Sequence, residues 1–248
     1  MTDRTVIVTG SSSGIGLDVA RAFVERGDNV VVNGRDASNL ARAAERLGSL
    51  AAGGPDRVAS VPGNIGDETT GEALVKVALE RFGRVDVLVN NAGTFATKPF
   101  LDVTEADIDT FVAGNLKGTF FTTQAAARQM RSQGGGSVVN IGTVLVDHPM
   151  ATTPASAALV SKGGIHALTT ALAAELAADG IRVNAVAPGI IRTPMVDGAD
   201  LDALGHVALM DRIGEVEEIA AAVLYLADAT FTTGHILPVD GGFVAGRA

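Results

Sequence analysis

Few side chains in this chain of 248 residues can carry acid–base or nucleophilic chemistry. The sequence contains no cysteine, one tyrosine at Tyr225 and only four histidines. His148 stands beside Asp147 just after a short apolar run, and an imidazole there could donate a proton near neutral pH. It could equally be an ordinary exposed loop histidine. No group of histidines and carboxylates has the spacing of metal ligands, so we expect no metal site.

A glycine-rich turn at residues 9–16 is the clearest binding motif. Its sequence is Thr-Gly-Ser-Ser-Ser-Gly-Ile-Gly, directly after a β-branched apolar run and directly before an amphipathic pattern. Glycines allow the backbone to turn sharply and approach a ligand, and free N–H groups at a helix start attract an anion. Such a stretch alone could be a plain strand-to-helix turn. With a second strand about 20 residues further on, it predicts nucleotide binding.

The end of the second predicted strand bears on which nucleotide is bound. A carboxylate at this end would accept a ribose hydroxyl, but Asn33 is not a carboxylate. Arg35 is placed to pair with a 2′-phosphate, although it could also be a solvated surface residue. Asp36 could restore some preference for the unphosphorylated cofactor or could cap the next helix. We expect NADP(H) to be favoured over NAD(H).

Strand and helix patterns alternate along the whole chain. Strands are predicted at residues 6–9, 30–32, 58–61, 85–89, 138–141 and 181–187, with helices near 15–26, 40–50, 68–82, 104–130 and 157–178. Right-handed helical crossovers then give an α/β doubly wound parallel sheet with helices on both faces. No break in composition marks a second domain. Residues 193–212 have weak periodicity and are predicted to form a mobile substrate lobe.

Composition and charge exclude several classes of function. Hydrophobic residues make up 47% of the chain, which argues against disorder. A net charge of −9 argues against binding to nucleic acid or to an anionic membrane surface. No apolar run reaches the ~18 residues of a membrane span, and the start of the chain has no signal-peptide pattern. A soluble protein in the cytoplasm is therefore expected.

The motifs together resemble those of the short-chain dehydrogenase/reductase family. The turn resembles T-G-x-x-x-G-x-G, and the matches continue in order through Asn90-Asn91-Ala92-Gly93, Asn115, Lys162, Arg182-Val183-Asn184, Pro188-Gly189 and Val239-Asp240-Gly241-Gly242. The resemblance covers essentially the whole chain. It implies a Rossmann-like sheet of about seven strands in one domain, a nicotinamide cofactor and a small-molecule substrate. It also implies a homotetramer or homodimer, because helix 157–178 resembles one that packs against its copy.

The resemblance also assigns cofactor contacts position by position. The implied contacts are Gly10, Ser12, Ser13, Ile15 and Gly16 at the pyrophosphate and adenosine end, Asn64 and Ile65 beside adenine, Asn91, Gly93 and Lys162 beside the ribose, and Pro188, Ile191 and Thr193 at the nicotinamide end. Relatives that prefer NADP(H) often have a basic residue where Ser13 stands, so Arg35 would bind the 2′-phosphate alone. Asp86 is expected to stabilise the sheet edge rather than touch a ligand.

The implied catalytic set departs from the family at two positions. The family commonly uses Asn, Ser, Tyr and Lys, whereas this chain has Asn115, Thr143, Ala158 and Lys162. Thr143 keeps a hydroxyl that could orient the substrate. Ala158 replaces the tyrosine that exchanges the proton, a role typically worth ~10²–10⁴-fold in rate. Hydride transfer could still occur, because the cofactor supplies that chemistry.

Other groups could supply the missing proton. His148 is one candidate, and Lys162 acting through a water in the space left by the phenol is another. A serine such as Ser156 is too weakly acidic, and His166 is expected to pack or cap. Restoring a tyrosine at 158 should raise ketone reduction, provided that Met150, Leu159 or a neighbour has not refilled the space.

Three functional hypotheses remain open at this point. The first is an oxidoreductase acting on a carbonyl or alcohol group of a small apolar substrate, with altered proton donation. The second is a non-redox cyclase, isomerase or lyase on the same scaffold. The third is a catalytically silent NADP(H)-binding module. The motifs for the cofactor favour the first and third, and Ala158 favours the third over the first.

Overall fold

The computed structural model describes residues 4–246 and is built around a parallel sheet. The strands are β1 (Thr5–Val8), β2 (Asn29–Gly34), β3 (Val58–Pro62), β4 (Val87–Asn90), β5 (Gly136–Ile141), β6 (Ile181–Pro188) and β7 (Ile236–Val239). The helices are α1 (Gly14–Glu25), α2 (Ala37–Leu50), α3 (Glu68–Phe82), α4 (Glu105–Phe111), α5 (Gly118–Ser132), α6 (Ser156–Leu176), α7 (Leu201–Gly205) and α8 (Val216–Asp228). The seven strands run in the order β3-β2-β1-β4-β5-β6-β7. This confirms the predicted doubly wound α/β sheet.

Strand β1 illustrates why the sheet is covered on both faces. Val6 and Val8 belong to the apolar cluster to which α1, α2 and α8 contribute. Ile7 belongs to the cluster on the opposite face, to which α3, α5 and α6 contribute. All three side chains are fully buried. A strand buried on both sides is a continuous apolar run, which is why it was visible in the sequence.

The strand order reverses at β1, and the loops that follow β1 and β4 meet there. Thr9 Oγ1 accepts hydrogen bonds from the backbone N–H groups of Asn91 and Ala92, each at 3.0 Å. These contacts join the two loops at the carboxyl edge of the sheet. In open α/β sheets ligands bind in the crevice at this point.

The predicted helix over residues 104–130 is divided in the structure. Helix α4 begins with a capping box made by Thr104 and Asp107 and ends at Phe111. A π-helical turn, Val112–Lys117, follows before α5 begins. The turn buries Asn115 completely. Single π-helical turns within helices are frequent at functional sites, and the helical pattern of residues 104–130 does not predict this one.

Two further expectations concern the edge of the sheet and the lobe. Asp86 accepts a hydrogen bond from the N–H of Thr5 at 2.8 Å, so it stabilises the sheet edge as predicted. In the lobe, residues 193–212, α7 is followed by a contact in which Met210 N donates to Gly241 O at 3.0 Å.

Among the described residues, no helix is long and apolar enough to span a membrane.

Candidate active site

The glycines of the turn at 9–16 are required by close packing. A Cβ on Gly10 would lie 2.7 Å from the Cα of Ala92, and Gly10 has a positive φ of 62°. A Cβ on Gly16 would lie 2.3 Å from Nδ2 of Asn91. That amide group donates to the carbonyl oxygens of Thr9 and Gly10 at 3.0 and 2.9 Å. Asn91 therefore fixes the turn, and only residues without a Cβ fit beside it.

The N-terminus of α1 is open to an anion. Ser13 has extended backbone, and among the described residues no side chain caps this helix or places an acid in its first turn. By contrast, α4 and α8 each begin with a capping box. The N–H groups of the first turn of α1, at Gly14, Ile15 and Gly16, fit the pyrophosphate of a dinucleotide. Thr193 borders this space, since its Cγ2 would lie 3.5 Å from a Cβ on Gly14.

The adenosine end is formed after β2. Asn33 is buried, and its Nδ2 donates to Val61 O and Gly63 O at 3.1 and 3.2 Å, so it holds β3 rather than facing a ligand. Asp36 caps α2 by accepting from Asn39 N at 2.7 Å, which is the second of the two roles considered for it. Arg35 is exposed and has no ion-pair partner within residues 4–246.

The remaining implied cofactor positions lie along the same edge of the sheet. Asn64 makes a local turn, with its Oδ1 accepting from Gly66 N at 3.2 Å. Ile65 is buried against the start of α5. Pro188 ends β6, and Ile191 follows it in an isolated bridge with Gly214. The carboxyl ends of β2, β3 and β6 thus bring these residues to one side of the molecule.

Asn115 and Lys162 converge beside the loop after β4. A Cβ on Gly93 would lie 2.9 Å from Asn115 Oδ1 and 3.4 Å from Lys162 Nζ. Asn115 Oδ1 accepts from Thr94 N at 2.8 Å, and its Nδ2 donates to Ser161 Oγ at 2.8 Å. The π-helical turn therefore directs Asn115 towards Ser161 of α6, the residue before Lys162.

Lys162 is held by the end of β5. Its Nζ donates to the carbonyl oxygen of Ile141 at 2.8 Å. Burial lowers the pKa of Lys162 to about 8, because the charged ammonium loses its hydration. An amine with such a pKa changes its protonation state close to neutral pH. It suits a group that binds a ribose hydroxyl and exchanges protons.

Ala158 lies among apolar side chains. It is 0% exposed and belongs to an apolar cluster with Phe111, Ala155 and Ala157, against which Phe95, Val103 and Leu159 pack. The hypothesis that Lys162 donates through a water in the place of the phenol stays a prediction. Thr143 precedes the loop after β5, where its Oγ1 accepts from Leu145 N at 3.3 Å.

Histidines occupy two different environments near the end of β5. His148 is exposed in the loop, as is Asp147. His166 is buried, and its Nδ1 lies 4.0 Å from Asp147 Oδ2. Its Nε2 has no hydrogen-bond partner within the described chain and would lie 2.3 Å from a Cβ on Gly142. Burial, opposed by Asp147 and aided by Lys162, lowers the pKa of His166.

Comparison with known proteins identifies the family. The family model described as enoyl-(acyl carrier protein) reductase matches residues 10–244. Galactitol 2-dehydrogenase (L-tagatose-forming) of Cereibacter sphaeroides is 39% identical, over 95% of this chain and 93% of its own length. L-Rhamnose 1-dehydrogenase (NAD(P)(+)) of Azotobacter vinelandii is 40% identical, over 97% and 96% of the two chains. The crystal structure of gox2181 superimposes with a TM-score of 0.92 at 33% identity, covering 99% of this chain and 97% of that one.

The chain belongs to the short-chain dehydrogenase/reductase family. It is accordingly an oxidoreductase of the short-chain type, and the family implies NAD(P)(H) as cofactor. The open N-terminus of α1 and the glycine cradle beside Asn91 fit such a cofactor.

In this short-chain dehydrogenase/reductase, the environments of two buried polar residues were not predicted from the sequence. Asn33 and His166 are both buried polar residues, and each contacts backbone that is distant in the sequence. The only signal for His166 was its spacing of one helical turn from Lys162. Nothing in the sequence indicated that Gly142 leaves room for its ring. His206, in contrast, pairs with Asp211 on the exposed surface of the lobe.

Proposed function

We propose that this short-chain dehydrogenase/reductase transfers hydride between NADP(H) and the carbonyl or alcohol carbon of a small apolar substrate. The observation that carries the proposal is the convergence of Asn115 and Lys162 at Gly93, beside a glycine cradle and an uncapped helix N-terminus. The names of the relatives, which are dehydrogenases of alcohols and sugars, support the same class of reaction.

The preference for NADP(H) is supported by charge at the end of β2. Arg35 is exposed and free to bind a phosphate, and Ser12 Oγ lies close by, 3.1 Å from where a Cβ on Gly34 would be. Asp36 is committed to capping α2 and so does not present its carboxylate to a ribose. A guanidinium binds phosphate oxygens with two donors, whereas a ribose hydroxyl offers it no charge.

Calorimetry with both cofactors tests this preference. NADPH should bind more tightly than NADH by about 1–3 kcal/mol, and Arg35→Ala should remove most of the difference. Arg46→Ala is the matched control, because it removes an exposed arginine from α2 without touching the end of β2. Equal affinities for NADPH and NADH in the parent protein would contradict the proposal.

Proton exchange in the proposed reaction falls to groups other than a tyrosine. We infer that Thr143 orients the substrate oxygen and that Lys162 binds the nicotinamide ribose. His148 is the candidate proton donor, since it lies on the loop after β5 that also carries Thr143. Asn115 contributes by its hydrogen bonds to Thr94, in the loop after β4, and to Ser161, the residue before Lys162 in α6.

The proposal includes assembly into a homodimer or homotetramer acting in the cytoplasm. Exposed apolar side chains support an interface between copies. Phe100 is 74% exposed, Leu101 94%, Phe120 43% and Val160 66%. Large exposed apolar areas mark interaction surfaces in soluble proteins. Sedimentation of the purified chain would test it, and a monomer at micromolar concentration would contradict it.

A further inference from the structure

The substrate side of the site has no buried acid where the family has its phenol. Ala158 is fully buried and lies in an apolar cluster with Phe111, Ala155 and Ala157. Lys162 is the nearest titratable group on the same helix, and its Nζ is bound to Ile141 O. A threonine hydroxyl at Thr143 is a weak acid, although its oxygen can accept a hydrogen bond.

The other titratable groups near this end of β5 are a buried histidine and two exposed loop residues. His166 lies behind Gly142, and its Nε2 is inaccessible and without a partner in the described chain. Asp147 and His148 are on the loop and exposed to solvent. A carbonyl substrate would therefore take its proton from the exposed His148, as proposed above, and not from a buried acid.

Carbonyl and imine substrates differ in their need for a proton. Hydride addition to a ketone leaves an alkoxide, which must be protonated, and a positioned acid contributes ~10²–10⁴-fold to that step. Hydride addition to a protonated C=N bond leaves a neutral amine. The carbon gains the hydride, the π electron pair becomes the nitrogen lone pair, and the reduced nicotinamide is oxidised. The proton already on nitrogen stays there, so no acid is needed.

We propose that this site has a further activity, the reduction of protonated imines of small apolar substrates, because an apolar residue, Ala158, occupies the position of its general acid. The activity rests on the hydride-transfer part of the function proposed above. Thr143 Oγ1 would accept the hydrogen bond of the iminium N–H. The partly buried side chains of Phe95, Val103 and Leu159 offer apolar surface that suits a hydrocarbon substrate.

The charges of the molecule are compatible with a cationic substrate. The chain has a net charge of −9, which attracts cations over long range. In the lobe, Arg212 is neutralised by Glu218 at 2.7 Å, whereas Asp197 and Asp202 have no ion pair within residues 4–246. Lys162 is a cation that would oppose an iminium. Burial lowers its pKa, so a second cation beside it would more readily cause the loss of its proton.

Matched substrates test the proposal directly. With NADPH and the full chain, kcat/KM for dihydroisoquinoline should exceed that for tetralone, a ketone of similar shape, by at least ~10²-fold. The rate without protein is the control and is subtracted. A ketone reduced as fast as the imine would overturn the proposal while leaving the proposed function intact. Absence of NADPH oxidation with both would overturn the two together.

A permanently charged substrate distinguishes the loss of the imine proton from the loss of a proton on the protein. The rate with dihydroisoquinoline should fall as pH rises through the pKa of the imine itself. The rate with N-methyl-dihydroisoquinolinium, which has no proton to lose, should stay level or rise as Lys162 loses its charge. A parallel fall for both substrates would mean that Lys162, His166, His148 or Asp147 must be protonated, and would overturn the proposal.

Binding gives a readout that is independent of turnover. N-methyl-dihydroisoquinolinium cannot react with NADP⁺, so calorimetry can measure its affinity for the protein saturated with NADP⁺. The cation should bind more tightly than tetralone to this complex. Tighter binding of the neutral ketone would overturn the assigned substrate charge.

Discussion

Replacing Ala158 with tyrosine would introduce a phenol ring at a fully buried position. The side chain is 0% exposed, and Phe111 is the largest buried member of the cluster around it. Adding a large side chain to a packed core forces neighbours out of their rotamers, which costs about 1–3 kcal/mol. For a chain of this size that is a fall of roughly 2–12 °C in Tm, at about 2–4 °C for each kcal/mol.

Urea unfolding of four variants, Ala158→Tyr, Phe111→Ala, their double variant and Ala41→Tyr, would measure this effect. Ala158→Tyr should lose about 1–3 kcal/mol of unfolding free energy, whereas Ala41→Tyr, at an exposed position on α2, should lose no more than ~0.7 kcal/mol of helix propensity. In the double variant Phe111→Ala/Ala158→Tyr, removal of the phenylalanine ring leaves space for the tyrosine ring. The double variant should then be more stable than the sum of the single changes predicts, by about 0.5–3 kcal/mol.

Activity provides the second half of the test. Ala158→Tyr alone should not gain ketone reduction, because its ring is forced out of the family position. The double variant with Phe111→Ala should gain it, since Lys162 lies one helical turn on and its charge stabilises a phenolate. An Ala158→Tyr protein as stable as its parent, or one that reduces ketones faster without a second change, would refute the packing argument.

Two further predictions concern the titratable groups. The pKa of Lys162 is lowered from 10.5 to about 8 in the folded state, so the unfolded chain holds that proton more tightly. The unfolding free energy should therefore rise by about 3 kcal/mol between pH 8 and 10.5, and Lys162→Met should lose this rise in urea titrations at both pH values. His148→Ala should lower carbonyl turnover at least ~10²-fold and remove one limb of the pH–rate profile, with NADPH affinity unchanged by calorimetry. Unaltered kinetics in this variant would show that His148 is an ordinary exposed loop residue and not the proton donor.

The features that were predicted from the sequence are those set by local pattern. Apolar runs such as Val6–Val8 are continuous because the strands are buried on both faces, and the turn at 9–16 is specified by glycines that its own backbone requires. The loss of the tyrosine was visible as a residue type at position 158. These signals involve neighbours in the sequence, so no knowledge of packing was needed to find them.

The features that were not predicted depend on packing between distant segments. The closure of Ala158 depends on Phe111 and Val103, which come from α4 and the loop before it. The π-helical turn that buries Asn115 lies in a stretch whose pattern is helical throughout. Asn33 was noted only for lacking a carboxylate, and its hydrogen bond to β3 was not predicted. In each case the sequence shows the residue type but does not show which distant residues surround it.

The contact between His166 and Gly142 makes two positions share one side-chain volume. The imidazole fills the place that a Cβ at 142 would take, so a larger residue at 142 excludes histidine at 166 unless the helix moves. The two sites are therefore a coupled pair for redesign. Exchanging Gly142 for serine requires a smaller partner on α6, so a library that varies position 142 alone would sample mostly incompatible combinations.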